Sequence, residues 1–460
     1  MRNLKAKNLY LIIFGLVFFF LSSGSYAIDI SNCQIINESQ VYYLITDVWD
    51  ASNTCFEIQT SNVTLDCQGH VIDGNFTGYG VYINAYDYGN LSNVTIKNCT
   101  LQEFGVGLYI RSFDINNKSD NITGMYLNIS NNLRVGILME KSYNFSLFNS
   151  ILQNNGNVYL TYTPFFYIPY KGGFYSYLSN YSYWKNIILH NNSDDGIDIE
   201  RSFYFNFYNV SISHSNDAGV DVNEGCFHTF SKVRSYNNGW LDIYFSLSDP
   251  QLCNNIFYDV NSTHGKVIYY ANLRYFNNFI TTDNISYFIL CNVSNSSFYG
   301  LKSKGGSNMI YYSYNVSFYN SFISQAYYGF YIKNSSSLTF VNNTILDSKY
   351  SYKLYGVNSS VFNRNILLHN YYGLHFSYVF NNLFYNNFFN NTLNAYIYEV
   401  SFNHFNTTLT KGPNIVGRPF IAGNVWAKPD GTGFSETCTD ADHDGICDSS
   451  YDTGYGIDYA

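Results

Sequence analysis

A short unit of apolar and polar positions keeps returning along the chain: Gly-hydrophobic-x-hydrophobic, a polar stretch, an Asn-studded strand and a second Asn turn. It is clearest at Gly196-Ile197-Asp198-Ile199-Glu200, which is followed by Asn206-Phe207-Tyr208-Asn209-Val210-Ser211-Ile212 and restarts at Gly219-Val220-Asp221-Val222. Related openings stand at Gly80, Gly107, Gly136, Gly329 and Gly373. The spacing is 23 residues from Gly196 to Gly219, 27 from Gly80 to Gly107, and 44, or two units, from Gly329 to Gly373. A period in this range means supersecondary units stacked along an axis, each burying its apolar face on its neighbours. In Val94-Thr95-Ile96, Val210-Ser211-Ile212 and Val220-Asp221-Val222 alternate residues are apolar, so each segment reads as a strand with one face inward. Asn pairs such as Asn131-Asn132, Asn154-Asn155 and Asn342-Asn343 follow the strands. Asn tolerates left-handed backbone and suits tight corners, and equivalent Asn side chains can bond from turn to turn. Strand and corner in alternation make a coil, and the coils stack in parallel.

Composition agrees. The chain is 20% aromatic, with 48 tyrosines, and only 12% charged, so it favours strands and reads as all-β. Eight of its acidic residues and none of its Lys or Arg lie between Asp430 and Ala460. The rest is nearly neutral, and without a basic face nucleic acid is excluded as a partner.

The segment Asn62-Val63-Thr64-Leu65-Asp66-Cys67-Gln68-Gly69-His70-Val71-Ile72-Asp73-Gly74 is similar to the opening coil of many exported repeat proteins. The pattern from about residue 40 to 410 resembles the right-handed parallel β-helix family, specifically NosD-like proteins grouped with carbohydrate-binding proteins and sugar hydrolases. The resemblance implies a right-handed parallel β-helix and leaves activity open, because this scaffold serves many purposes. It also brings copper with it. Four Met and nine scattered His, with no His-x-His or Met-rich run, argue against that metal.

The N-terminus reads as an address. Arg2, Lys5 and Lys7 precede an apolar run from Leu9 to Leu21, and Ser25-Tyr26-Ala27 offers small residues to a signal peptidase. The run is short of the roughly 20 residues a membrane span needs, and no second one follows. The expected organisation is a signal peptide over 1–27, the β-helix over 28–412 and a C-terminal cap over 413–460. The mature chain is then secreted or held at the cell surface without a membrane span. Pro413, Pro419 and Pro429 mark the end of the stack, whose open strand edges need covering. Aromatic-rich residues from Tyr159 to Trp184, with Pro164 and Pro169, are expected to form a loop protruding from one coil.

Nine cysteines fit an oxidising compartment. Cys33, Cys55, Cys67 and Cys99 allow three connectivities. Cys226 and Cys253, 27 apart, are expected to pair across adjacent coils, Cys438 and Cys447 to clip the acidic tail, and Cys291 to be left over. Asn-x-Ser/Thr triplets at Asn62, Asn93, Asn209 and Asn406 offer glycosylation sites in an exported chain.

Three constellations carry candidate chemistry. Asp440-Ala441-Asp442-His443-Asp444-Gly445-Ile446-Cys447-Asp448 follows calcium-loop logic, with carboxylates at positions 1, 3, 5 and 9, Gly at 6 and the Ile446 carbonyl at 7. Position 12 is Tyr451 rather than Glu, and Asp452 is the substitute, so a structural Ca2+ is expected. In the second, Asp198 and Asp221 hold equivalent places one coil apart, with His214 and Lys232 near in sequence and Asp242 as an extension of the row. Paired carboxylates are what glycoside hydrolysis needs. Yet Asn-Thr-Asp, Gly-His-Gly and Arg-Ile-Lys are absent, which weighs towards solvated outward carboxylates. In the third, Tyr181, Tyr183 and Trp184, with Tyr175 and Tyr177, can stack on sugar faces or pack on the coils. The reading is an exported structural, adhesive or glycan-binding module that engages polysaccharide or a surface glycan. The rival is a polysaccharide hydrolase, lyase or epimerase using Asp198, Asp221 and His214.

Overall fold

The computed structural model describes residues 27–114, 118–156, 171–279, 285–398, 402–454 and 456–458. It forms the parallel β-helix that the repeat unit predicts. A nine-stranded sheet carries the Gly-hydrophobic-x-hydrophobic segments from Gln34–Ile36 to Ile243–Ser246, a 28-stranded sheet forms further faces, and a six-stranded sheet closes the later coils. Ile197, Val220 and Ile243 are in register, as are Ile199, Val222 and Phe245, and all six are buried in the core.

The opening glycine has a steric cause. A Cβ on Gly196 would lie 2.7 Å from the Gly219 carbonyl oxygen of the next coil and 2.4 Å from Ile212 Cγ2. Gly80, Gly107, Gly136, Gly173 and Gly219 meet the same obstacle. The last place in this column is Asp242, directly before the final strand of the sheet, Ile243–Ser246.

Corners are left-handed at Asn98, Asn131, Asn154, Asn191, Asn237 and Asn342. Next to them runs a buried amide ladder. Asn343 Nδ2 donates to Asn365 Oδ1, Asn365 to Asn387 and Asn387 to Asn424, at 2.9–3.0 Å. The same Oδ1 atoms accept backbone N–H groups of the preceding coil. Each such bond contributes about 1 kcal/mol net, and leaving a buried amide unpaired costs more. Asn62, Asn93 and Asn209, the first residues of glycosylation triplets, stand in exposed versions of this ladder.

The later coils settle to 22 residues. Phe318, Phe340, Phe362 and Phe384 pair in register, with ring centroids 5.1, 4.9 and 4.5 Å apart and nearly parallel planes.

One feature is absent from the sequence pattern: the strands divide between two large apolar cores, beside a small third cluster around Tyr82, Tyr109, Leu138 and Tyr175. The strand Ile285–Cys291 is buried throughout. It sends Tyr287, Ile289 and Cys291 into the first core and Phe288 and Leu290 into the second. Its near-continuous apolar sequence is what burial on both faces demands. At this junction the nine-stranded sheet ends, and its outward carbonyls accept side chains in place of a further strand. Tyr287 Oη donates to Ile243 O (3.0 Å), Tyr311 Oη to Phe245 O (2.7 Å), and Tyr312 Oη to Leu247 O (3.2 Å).

Two expectations need correction. The 60-residue gap from Gly136 to Gly196 holds a further coil opening at Gly173-Phe174-Tyr175, with Gly172–Tyr177 and Tyr183–His190 as in-register strands. Ser176 in the second apolar place conceals it. Pro164 and Pro169 of the expected loop lie outside the described residues. Second, Cys253 pairs with Cys291, while Cys226 is reduced and buried. The 27-residue spacing does set Cys226 and Cys253 on adjacent coils, since Phe227 N–H donates to Asn254 O. However, Cys253 ends a 3₁₀ turn, Pro250–Cys253, and its sulfur bonds to Cys291 of the doubly buried strand. Cys33–Cys55, Cys67–Cys99 and Cys438–Cys447 complete the set.

The tail closes the second core. Val425–Ala427 adds a strand, Trp426 stacks on Phe389 at 4.5 Å, and the buried Asp458 terminates the amide ladder. Its Oδ2 accepts Asn424 N–H (3.0 Å), Asn424 Nδ2 (2.9 Å) and Trp426 Nε1 (2.6 Å). Asp458→Ala is expected to cost roughly 2–4 kcal/mol in a urea titration, because buried donors lose their acceptor, and Asp458→Asn distinctly less. His228 is fully buried, its Nδ1 accepts Phe205 N–H at 3.2 Å, and burial pushes its pKa down to about 3 from 6.5. The unfolded chain takes up the proton first, so stability present above pH 6.5 is expected to fall by about 1.4 kcal/mol per pH unit below it. The urea midpoint followed from pH 7 to 4 checks this, and His228→Asn should flatten the decline.

Candidate functional site

The x residues of the repeat form one row on the outer face of the nine-stranded sheet: Tyr82, Tyr109, Leu138, Tyr175, Asp198, Asp221 and Tyr244, each in register with the next. Asp198 and Asp221 are therefore side by side. Asp195, in the corner before the strand and buried, joins them, and the three offer carboxylate oxygens within 4.8 Å of one another. Asp195 Oδ1 accepts Ala218 N–H at 2.8 Å. The Oδ1 atoms of Asp198 and Asp221 are enclosed and have no hydrogen-bond partner among the described residues. Burial, then mutual repulsion, pushes Asp195 up to about 9 and Asp198 well above the usual carboxylate range. Burial pushes Asp221 up to about 7, against a hydrogen bond from Asn223. Elsewhere on this face carboxylates have donors: Tyr175 Oη donates to Glu200 Oε2 at 2.6 Å, and Tyr109 Oη to Glu140.

The other residues of this constellation lie elsewhere. His214 is an exposed corner residue whose ring packs edge-on to His190 and Tyr236. Lys232 Nζ donates to Tyr208 Oη on the 28-stranded sheet. Asp242 does not extend the row: it takes the glycine position, bonds Asn238 and Thr263, and leaves the row to Tyr244.

A second surface lies along one corner. Tyr181, Tyr204 and Phe227, spaced 23 residues apart, stack with centroids 4.7 and 4.8 Å apart and planes within 8°. They are 51%, 42% and 43% exposed. All three are left-handed, with φ of 60°, 63° and 61°, a conformation that costs a bulky residue about 1 kcal/mol or more and that Asn144 adopts one coil earlier. Phe227 lines a cavity of about 710 Å³ with Phe203, Cys226, Leu252, Asn254 and Asn272. Its amides are chained: Asn272 Nδ2 donates to Asn254 Oδ1 (2.7 Å) and Asn292 Nδ2 to Asn272 Oδ1 (2.6 Å). Among the described residues the only titratable group lining it is the Cys226 thiol, which burial pushes up to about 11. Trp184 is not part of this surface. It is fully buried in register with Phe207, 4.5 Å from Phe174, because its place in the strand points inward. Tyr183 is half-buried against Phe148, and Tyr175 is buried.

In the tail, Asp440, Asp442 and Asp444 offer oxygens within 4.8 Å of one another. Asp440 accepts the Asp444 and Gly445 N–H groups at 3.1 and 3.0 Å, Asp444 Oδ1 accepts Ile446 N–H, and Asp448 accepts Ala441 N–H. Gly445 has φ 86°, and the Cys438–Cys447 bond closes the loop. Asp452 lies apart in the hairpin strand Tyr451–Asp452. Both Asp clusters are oxygen-only, suited to a hard cation and not to copper. Among the described residues no such cluster contains His or Cys, and Met139 and Met309 are core residues.

Residues 261–431 match the family model described as NosD, a periplasmic copper-binding protein. Comparison with curated proteins gives no match. Among solved structures, the chain is similar to the Dettilon tailspike protein (11% identity, 74% of this chain and 58% of that one, TM-score 0.38). It is also similar to alginate lyase from Paenibacillus sp. str. FPU-7 (12%, 64% and 87%, 0.32) and to the adhesin PfbA of Streptococcus pneumoniae (11%, 79% and 91%, 0.29). The chain thus spans little more than half the length of the tailspike. Four disulfides are what an oxidising compartment outside the cytoplasm allows. No helix among the described residues is long and apolar enough to cross a membrane.

Proposed function

We propose that the protein is an exported surface module that binds glycans along the Tyr181–Tyr204–Phe227 corner. The stacked aromatic column ending at the mouth of an amide-lined cavity carries this reading. The open face of Phe227 offers apolar area to a sugar ring, and the flanking Asn side chains offer both donors and acceptors to hydroxyls. Among the described residues the lining carries no charged side chain, which favours a neutral glycan. Residues 1–27 act as the signal peptide, 28–412 as the helical scaffold, and 413–460 as the cap, held by a structural Ca2+ at Asp440, Asp442 and Asp444. Asp448 and the Ile446 carbonyl are the remaining candidates in that loop.

The in-register pair Asp198–Asp221 favours a second reading, a polysaccharide-active enzyme with one carboxylate as acid and the other as base or nucleophile. Incubation with a panel of neutral and uronic glycans separates the two readings. Binding without turnover, weakened about tenfold in Phe227→Ala and less in Tyr181→Ala, is the expected result. Turnover that vanishes in Asp198→Asn would establish the enzyme instead. For the cap, a chelator is expected to lower the Tm of the natural chain but to leave the Asp442→Asn/Asp444→Asn variant's response much reduced.

A further inference from the structure

The outer face of the nine-stranded sheet treats its carboxylates unequally. Glu140 and Glu200 each receive a tyrosine hydroxyl, and Glu140 also has Arg111 at 3.4 Å. Asp198 and Asp221 receive no Lys, Arg or His among the described ion pairs. Their Oδ1 atoms are nevertheless removed from water and have no hydrogen-bond partner among the described residues, although Asn223 donates to the Asp221 carboxylate. A carboxylate oxygen in that position carries an uncompensated desolvation cost. Two such oxygens on adjacent coils, with Asp195 completing the group and Asp194 and Asp217 adding negative potential, leave a positively charged ligand as the missing partner.

We propose that Asp195, Asp198 and Asp221 form a calcium site on the outer face of the nine-stranded sheet, separate from the C-terminal loop. Donor chemistry supports this, because the group offers carboxylate oxygens and neither nitrogen nor sulfur. Size supports it too. Oxygens within 4.8 Å of one another can be spanned by Ca2+ with metal–oxygen bonds of about 2.4 Å. The site is built by register: the strands Ile197–Glu200 and Val220–Asn223 hold two ligands a coil apart, and the corner before the first strand holds the third. Asp198 and Asp221 remain partly open to solvent, which leaves an entry path and room for water ligands. This assignment goes beyond glycan binding at the aromatic corner and does not depend on it.

The test uses the full mature chain with Asp442→Asn/Asp444→Asn disabling the tail, and Ca2+ as the probe. Calorimetric titration at pH 7 is expected to show one remaining site. Adding Asp198→Asn or Asp221→Asn should weaken it at least tenfold and abolish the Ca2+-dependent rise in Tm, while the far-ultraviolet β signature in chelator stays unchanged. Asp195→Asn gives an independent check on the same site. Three results would overturn the proposal: no Ca2+ uptake once the tail is disabled, unchanged affinity in Asp198→Asn, or loss of glycan turnover in Asp198→Asn with Ca2+ binding intact. The last would mark the pair as acid and base.

Discussion

Every coil of this protein leaves amides and carbonyls that only the next coil can satisfy. The buried Asn ladder answers that demand inside the corners: each Oδ1 takes a backbone N–H from one coil while the Nδ2 passes a hydrogen bond to the following coil. Register follows, because a one-residue slip would strand a chain of buried amides as well as turn apolar strands outward. Side chains on the outer face are then stacked by the same register. Asp198 meets Asp221 and Tyr204 meets Phe227 because the parallel pairing of the backbone beneath them fixes the repeat, without any attraction of their own being required.

The same demand explains the places where the repeat stops. At the first core's end the outward carbonyls of residues 243, 245 and 247 accept tyrosine hydroxyls from strands that turn away to build a second core. At the end of the chain the ladder's last amide meets the carboxylate of Asp458, which accepts and cannot donate onward. Tyrosine suits the junction because its ring fills apolar space while its hydroxyl reaches a carbonyl, and that role accounts for part of a tyrosine content that composition alone leaves unexplained.

Much of this was legible in the residues. Equal 23-residue spacing put Asp198 beside Asp221, and the glycine column declared a close approach of backbones. Alternation reports which residues share a face but not which face is inward, so it leaves Trp184 open between stacking on sugars and packing on the coils, and it places Asp242 two positions ahead of the row that Tyr244 completes. Asp194-Asp195 stands in the same run of sequence as Asp198, but at a corner, where the repeat is loosest, so no interval ranks Asp195 beside the pair as a third carboxylate. The column Tyr181, Tyr204, Phe227 carries the same 23-residue interval, but its members lie in corners, outside the alternating strands that mark a shared face. The Cys253–Cys291 pair and the tyrosine junction rest on contacts between coils that no interval announces, such as Tyr311 with Phe245, 66 residues away.

The 22-residue regularity of the later coils has a further consequence. From Phe340 to Phe384 each coil presents the same ring, the same left-handed corner and the same buried amide to its neighbours, so a coil added or removed there changes neither the junction below nor the terminator above. The distance between the outer face of the first core and the capped end is thus set by a count of interchangeable parts. Duplication or loss of one part in the gene would lengthen or shorten the molecule's reach by one strand spacing, about 4.8 Å, with the surfaces at either end left intact.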